Sequence, residues 1–317
     1  RLGHAHPVAP AHDLALVEHG ETLERAARLA LASQVVVLGL GLCGNNYGAD
    51  ADAVCDGRID EAEGQDRSSL ALPRAQLELA ATVIAALSRS PSNTQLVVFV
   101  MAGGSLDLTP ILRMCDEAGP RLRLALLWTG YPGQAGGQGI ADVITGLHNP
   151  ASVMPFTVYP KRLAAQVAYD DFALRSGPGR TYRFYKDVPV YAFGFGLSYT
   201  RFTLAWSRPP PARAAAGQTL EFSVAVTNTG SRPGDKVVLG FLLPARNASA
   251  AAPARQLFAF ARVRRVRPGS TAYLSLHLAP GDRTLVAADG VPFVPLGGGH
   301  AIAVGADDLV TPLTISG

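Results

Sequence analysis

The sequence predicts an α/β protein: an open, mostly parallel sheet flanked by helices on both faces, followed by an all-β sandwich. Up to about residue 160, short apolar runs alternate with amphipathic segments, which is typical of a parallel sheet with crossover helices. Beyond residue 212, short alternating strands are separated by Gly/Pro turns, which is typical of a sandwich. A hydrophobic content of 48%, with 17% charged residues, is sufficient for a large buried core.

The first half of the chain carries strand and helix signals in turn. Short apolar runs predict strands at 35–38, 96–100 and 122–128. Apolar residues at helical spacing predict helices at 21–33, 72–88, 111–117 and 137–145. We therefore expect an α/β/α sandwich domain over 18–160, with 1–17 as a linker or a processed start.

The second half begins where this alternation stops, after Pro160. Residues 161–211 are aromatic- and glycine-rich, and we expect an ordered connecting segment that ends in the stiff run Pro209–Pro211. Alternating patterns then predict strands at 220–228, 236–243, 256–266, 272–278 and 301–304. These strands predict a β-sandwich domain over 212–317, in which the arginines of 262–267 form a solvated face.

Charge and composition exclude several classes of function. With 28 Lys and Arg against 25 Asp and Glu, the net charge is +3. This is not the strong positive charge expected of a protein that wraps nucleic acid. No apolar stretch approaches the ~20 residues that span a bilayer. Zinc-binding, phosphate-cradling and hydrolase-elbow motifs are missing, so we expect neither a metal nor a cofactor.

Three cysteines are too few for a disulfide scaffold. Cys43 and Cys55 bracket a polar loop and would pair in an oxidising compartment, which leaves Cys115 single. Asn247 begins the glycosylation sequon Asn247-Ala248-Ser249. Together these features favour an extracellular, cell-wall or vacuole-like location.

A glycine-rich stretch after the first strand matches the dinucleotide fingerprint in letters only. Gly39-Leu40-Gly41-Leu42-Cys43-Gly44 has the spacing. The chemistry needs a helix directly afterwards, so that its N-terminus meets the pyrophosphate, whereas 45–57 is dense in Asn, Gly and Asp. We expect these glycines to ease a turn at the carboxyl edge of the sheet.

The acidic run Asp60–Arg67 lies on the loop between the first strand and the 72–88 helix. Clustered carboxylates repel one another, which raises the pKa of at least one and suits it to general-acid chemistry. The edge where parallel strands end is also where α/β proteins bind ligands. Composition alone nevertheless favours a solvated acidic loop, with Arg67 as an internal counter-ion.

Several segments, taken in order, make the chain resemble glycoside hydrolase family 3, in its β-xylosidase branch. The resemblance covers about residues 18–317 and rests on 59–67 with 70–73, 128–137 with 140–143, 149–150 with 154–157, 179–185, 193–200 and 226–230 with 234–235. Family members have a fibronectin III-like C-terminal domain, which this implies for the sandwich. They also begin with a β/α barrel that supplies the nucleophilic Asp, and nothing in this sequence resembles that barrel.

The resemblance implies a retaining exo-glycosidase that removes terminal β-linked sugars from oligosaccharides or polysaccharides. A retaining glycosidase uses one carboxylate as nucleophile and a second as acid/base. By motif position Glu61 is the acid/base and Glu63 the runner-up, while Asp66 and Arg67 brace the loop or bind substrate. The barrel, in the same enzyme or a partner chain, would supply the nucleophile. The alternative is a non-catalytic carbohydrate-binding or structural protein that retains the scaffold, which the lengthened loop 45–57 and the missing barrel favour.

Overall fold

The chain divides into two units, Arg1–Gln134 and Ala135–Gly317, in a computed structural model. The structure describes residues 19–42, 67–91, 93–245, 248, 252–287 and 289–317. Each unit buries a hydrophobic core of its own, as separate domains do. Within these described ranges, no helix has the length and apolar character needed to cross a membrane.

The first unit is built on a three-stranded parallel sheet. Its strands are β1 (Val35–Gly41), β2 (Thr94–Met101) and β3 (Leu122–Trp128), and they lie in the order β1-β2-β3. Its helices are α1 (His19–Leu31), α2 (Arg74–Ser88) and α3 (Thr109–Glu117). The parallel sheet predicted from the apolar runs is therefore confirmed.

The helices of this unit pack on one face of the sheet. Leu38 of β1 and Val98 of β2 share a buried core with Ile84 of α2. On the opposite face, Val35 and Val37 are 48% and 49% exposed. Helices on both faces were expected, and the described part of this unit does not have them. Both crossovers lead from one strand to the next in the same direction, and right-handed connections of this kind place their helices on the same face.

The second unit contains two sheets and a separate short hairpin. The strands of the sheets are β4 (Phe202–Arg208), β5 (Arg213–Ala215), β6 (Leu220–Asn228), β7 (Gly234–Leu243), β8 (Gln256–Val266), β9 (Thr271–Leu278), β12 (Gly297–Val304) and β13 (Leu309–Ser316). The hairpin is formed by β10 (Leu285–Val286) and β11 (Pro292–Phe293). The sheets have the orders β4-β6-β9 and β5-β13-β12-β7-β8, and their strands are antiparallel apart from the β5–β13 pair.

Alternation along the strands builds the core between the two sheets. Phe222, Val224 and Val226 of β6 are 0% exposed, and the residues between them point away from the core. They meet Leu242 of β7 and Ile302 of β12, which are also fully buried. The period-two pattern read from the sequence is thus the pattern of burial.

The segment predicted to connect the two domains is also structured. Helix α4 (Gly136–Ile144) precedes it, the short helices α5 (Leu163–Gln166) and α6 (Thr181–Phe184) lie within it, and a 3-10 turn at Pro280–Arg283 lies in the range of the sandwich. Tyr182 and Phe193 stack with ring centroids 4.5 Å apart and cover Leu239 and Phe241 on the outer face of β7. The range expected to be a connection thus forms an aromatic layer on the sandwich, and it also contributes β4 to a sheet.

Candidate active site

The residues that the sequence singles out for chemistry fall mostly in the loop 43–66. This loop and two of the three sequon residues, Asn247 and Ser249, lie outside the described residues. Glu61, Glu63, Asp66, Cys43 and Cys55 are all within the loop. The acid/base, disulfide and glycosylation assignments therefore stay predictions. What the structure describes is the sheet edge at which the loop begins and ends.

The loop begins at the carboxyl end of β1, which is held by two neighbours. The side-chain amide of Gln76 accepts the Gly41 N–H at 2.9 Å and donates to the Gly41 carbonyl at 2.8 Å. The Leu42 N–H donates to the Met101 carbonyl, at 2.8 Å, at the end of β2. The last two residues before the loop are thus fixed to both α2 and β2.

Gln76 reaches β1 because of its place on α2. The helix begins after Pro73, and its buried residues include Ala80, Val83 and Leu87. Gln76 lies four residues before Ala80 and therefore on the same helix face, turned toward the sheet. Its role was not predicted from the sequence, although a polar residue at a core-facing helical position was a visible signal.

The loop ends at Arg67, which contacts the segment that follows β2. Its Nη2 donates to the Ser105 carbonyl at 2.9 Å. A little further on, the Asp107 N–H donates to the Leu70 carbonyl at 2.7 Å, and Ala71 pairs with Asp107 in a parallel bridge. The predicted bracing role of Arg67 requires a contact of this kind, and the role itself stays a prediction.

The end of β3 is tied to the same edge by Thr129. Its N–H and its hydroxyl both donate to the Val100 carbonyl, at 2.9 and 3.1 Å. Gly130 follows with φ +63°, a left-handed conformation that turns the chain away. All three strand ends are therefore linked through hydrogen bonds at the edge where loop 43–66 starts and returns.

The glycines of the apparent dinucleotide fingerprint have a packing role. Gly39 and Gly41 lie within β1 and not in a turn, which corrects the expectation for them. A Cβ atom on Gly39 would come within 2.6 Å of the Phe99 ring, and one on Gly41 would collide with the Met101 backbone. Close approach of β2 to β1 explains both glycines without a bound phosphate.

The described residues offer no metal site or thiol nucleophile at this edge. No group of three or more His, Cys, Asp or Glu side chains among them is arranged to hold an ion. Cys115 is buried in the core, and burial raises the pKa of its thiol to about 11. A neutral, buried thiol is a structural group and not a nucleophile.

Comparison with known proteins identifies the family. Residues 8–199 match the model of the glycosyl hydrolase family 3 C-terminal domain, which is more than half of the chain. The chain belongs to glycosyl hydrolase family 3. The matched range includes the loop 43–66 and the whole sheet edge described above.

The curated relatives that the chain matches are longer than it is. A probable exo-1,4-beta-xylosidase, bxlB, of Aspergillus terreus is 37% identical over 240 residues, covering 73% of this chain and 30% of that protein. The exo-1,4-beta-xylosidase bxlB of Emericella nidulans is 35% identical over 260 residues, covering 76% and 32%. The chain thus spans about a third of the length of these relatives.

Two solved glycosidase structures resemble the chain over 95% of its length. A GH3 exo-beta-xylosidase (XlnD) in complex with a xylobiose aziridine activity-based probe has a TM-score of 0.75 at 26% identity, covering 95% of this chain and 39% of that one. A β-glucosidase from Kluyveromyces marxianus has a TM-score of 0.75 at 25% identity, covering 95% and 35%. The similarity to these structures therefore extends beyond residues 8–199.

Within the second unit, Asn149 joins two of the family 3 motif segments. Its Oδ1 accepts the Ser198 hydroxyl at 2.9 Å and the Tyr199 N–H at 2.8 Å. Its Nδ2 donates to the Pro233 carbonyl at 3.1 Å, just before β7. The 149–150 and 193–200 motifs are therefore held to the sandwich by one amide.

Proposed function

We propose that this chain is the C-terminal part of a retaining exo-glycosidase of the β-xylosidase type. Glu61 acts as the acid/base, with Glu63 as the runner-up, and the nucleophilic Asp comes from a barrel in the rest of the enzyme or in a partner chain. The substrate is a terminal β-linked sugar of an oligosaccharide or polysaccharide. The names of the curated relatives, exo-1,4-beta-xylosidases, support this substrate class.

One observation carries the proposal: the acidic loop is tethered at both ends to the carboxyl edge of the sheet. Leu42 bonds to Met101, and Arg67 bonds to Ser105, only four positions further along. A general acid must meet the leaving-group oxygen while the nucleophile meets the sugar carbon, with the two carboxyl groups ~5–5.5 Å apart in a retaining enzyme. Holding the acid/base carboxyl group at this distance from the nucleophile requires a loop with anchored ends.

The proposal extends to the sandwich and the location of the protein. We assign the sandwich domain over 212–317 a fibronectin III-like fold, which is supported by the second unit's two sheets of three and five strands over one core. We also propose an extracellular, cell-wall or vacuole-like location, which a polysaccharide substrate supports.

The test uses the barrel-containing enzyme and two aryl β-xylosides that differ in their leaving group. Glu61→Gln should lower kcat/KM for a p-nitrophenyl xyloside ~10²–10⁴-fold, the usual contribution of general acid catalysis. The loss should be much smaller for a 2,4-dinitrophenyl xyloside, because that leaving group departs without protonation. Glu63→Gln is the parallel test of the runner-up.

Glu117→Gln is the matched control, since Glu117 is a solvent-exposed carboxylate on α3 that pairs only loosely with Arg113 at 3.6 Å. Its kinetics should equal the wild type. Unchanged turnover in both loop variants would remove this loop from the mechanism. Retained polysaccharide binding without any turnover by the wild type would favour the non-catalytic alternative.

A further inference from the structure

Strand β8 presents a concentration of exposed arginines at the edge of the five-stranded sheet. Arg262, Arg264 and Arg265 lie within its eleven residues and are exposed to solvent, while Val263 and Val266 are buried. A solvated face was the expectation for these arginines. Their arrangement is more specific than that expectation.

A β-bulge turns two consecutive arginines outward. Gly234 pairs with Val266 and Lys236 pairs with Val263, so Asp235 alone stands opposite both Arg264 and Arg265. Arg265 has φ +49°, a left-handed conformation that is costly for a side chain of this kind. Its N–H is held by Asp235 Oδ1 at 2.8 Å. Bulges of this kind re-aim side chains at an edge.

The positive charge of this strand exceeds the negative charge around it. Asp235 Oδ2 lies 3.9 Å from Arg262 Nη1, at the limit of an ion pair. Among the described residues, no carboxylate lies within 4.0 Å of the guanidinium groups of Arg264 or Arg265. These side chains therefore remain available to an external anion.

An exposed aromatic ring lies beside these arginines on β8. Phe260 is 76% exposed and lies two residues before Arg262, hence on the same side of the strand. Its partner in register, Leu239, is only 9% exposed, because the layer formed by Tyr182 and Phe193 covers it. The aromatic layer reaches the start of β8, where the Leu257 N–H donates to the Tyr182 hydroxyl at 3.4 Å, and it leaves the Phe260 ring uncovered beside the arginines.

We propose that this β8 strip (Phe260, Arg262, Arg264 and Arg265) binds an acidic polysaccharide, a glycan whose sugar rings carry carboxylates. The planar guanidinium group pairs bidentately with a carboxylate, and a strand spaces successive outward side chains by ~6.6–6.8 Å along an extended chain. The Phe260 ring offers an apolar surface for the apolar face of a sugar ring. The choice of a glycan among anions rests on the proposed function.

Edge protection and DNA binding are two competing roles for the β8 strip, and each would give a different result. Charged residues and a bulge also protect an edge strand from pairing with a second chain, and a strip with that role alone would bind no glycan. Double-stranded DNA would require a broad positive surface, whereas the whole chain has a net charge of only +3.

Affinity electrophoresis of the 317-residue chain in gels containing polygalacturonate tests the proposal. Polygalacturonate should retard the wild-type chain. Fully methyl-esterified polygalacturonate, which lacks charge, should not retard it. In Arg262→Gln/Arg264→Gln the apparent Kd should rise at least about tenfold, and its dependence on salt should fall by about two counterions. Phe260→Ser should weaken retention several-fold while leaving the salt dependence unchanged.

The matched control is Arg121→Gln/Arg213→Gln, which removes the same charge from exposed positions, one of them on β5 at the opposite edge of the sheet. It should bind like the wild type. Equal weakening in both double variants, no retardation of the wild type, or tighter binding of DNA would each overturn the proposal. Circular dichroism confirms that each variant is folded.

The outcome is independent of turnover, so the two proposals fail separately. In the barrel-containing enzyme, Glu61→Gln should abolish most turnover and keep the retardation by polygalacturonate. If the arginine variant lost its retardation and kept its p-nitrophenyl xyloside kinetics, glycan binding by the β8 strip would be supported. That result would not bear on the acid/base assignment.

Discussion

At the scale of single residues, a few buried polar groups hold the loops of this fold in place, as Asn228 illustrates. Its Oδ1 accepts the Thr200 hydroxyl at 2.7 Å and the Gly230 N–H at 3.0 Å. Its Nδ2 donates to the carbonyls of Arg232 and Val266, at 2.7 and 2.8 Å. One fully buried amide therefore joins the start of β4, the turn after β6 and the end of β8.

We expect Asn228→Asp to lower the free energy of unfolding by about 3–5 kcal/mol, because a buried carboxylate would face two carbonyl oxygens without a donor. Thr229→Asp places the same charge on the exposed neighbouring residue and should change stability by less than about 0.5 kcal/mol. Urea denaturation of both variants measures the difference. Equal stabilities would contradict the assignment of donors and acceptors to this amide.

The thiol of Cys115 gives a prediction that depends on pH. Burial raises its pKa from 9.0 to about 11, so the stabilisation that comes from keeping it neutral is complete below pH 9 and is lost as the pH rises toward 11. At pH 8 the thiolate population is about a hundredfold below that of an ordinary cysteine. A Cys43→Ser/Cys55→Ser variant should therefore react with a thiol reagent at pH 8 only after unfolding in urea. Rapid reaction of the native variant would show that the thiol is accessible.

At the scale of the elements, the parallel sheet depends on links between the ends of its strands. Replacing Gln76 by Met keeps the length of the side chain and removes both hydrogen bonds to the buried backbone of Gly41. We expect the free energy of unfolding to fall by about 1–3 kcal/mol, the cost of unpaired buried polar groups. Gln95→Met, at an exposed position of β2, is the control and should stay within about 0.5 kcal/mol of the wild type.

Element positions followed from the sequence wherever one periodicity dominated. The apolar run at 96–100 became β2, and the helical spacing of 72–88 became α2. Strand β4 was missed because its alternating Phe202, Leu204 and Trp206 follow an aromatic-rich stretch without a regular period. Side-chain links between elements, such as that of Gln76, depend on which backbone atoms meet in three dimensions, and a linear sequence does not specify them.

At the scale of the whole molecule, the proposed active site is divided between this chain and a part that lies outside it. We expect the isolated 317-residue chain to be essentially inactive on aryl β-xylosides, since general acid catalysis contributes only ~10²–10⁴-fold and the nucleophile is supplied elsewhere. The barrel-containing enzyme, assayed at equal concentration, is the positive control. Robust turnover by the pure chain would require a nucleophile of its own.

The motif order identified the family and therefore the fold, but it left the acid/base choice between Glu61 and Glu63 open. Two carboxylates one residue apart have the same local chemistry, and their difference lies in which one faces the substrate. Which face of the parallel sheet the helices cover was likewise not predictable from the sequence. Strand–helix alternation does not specify whether each new strand joins the sheet on the same side as the previous one.

The bulge in β8 has a consequence for how this domain tolerates insertions and deletions. Val263 and Val266 are three positions apart and would face opposite sides of a regular strand, yet both lie in the same core. The extra residue resets the alternation between them. Deleting Arg265 alone would remove the bulge and leave the two valines two positions apart, on the same side of a regular strand. Deleting Arg264 and Arg265 together would make the valines neighbours and turn one of them into water.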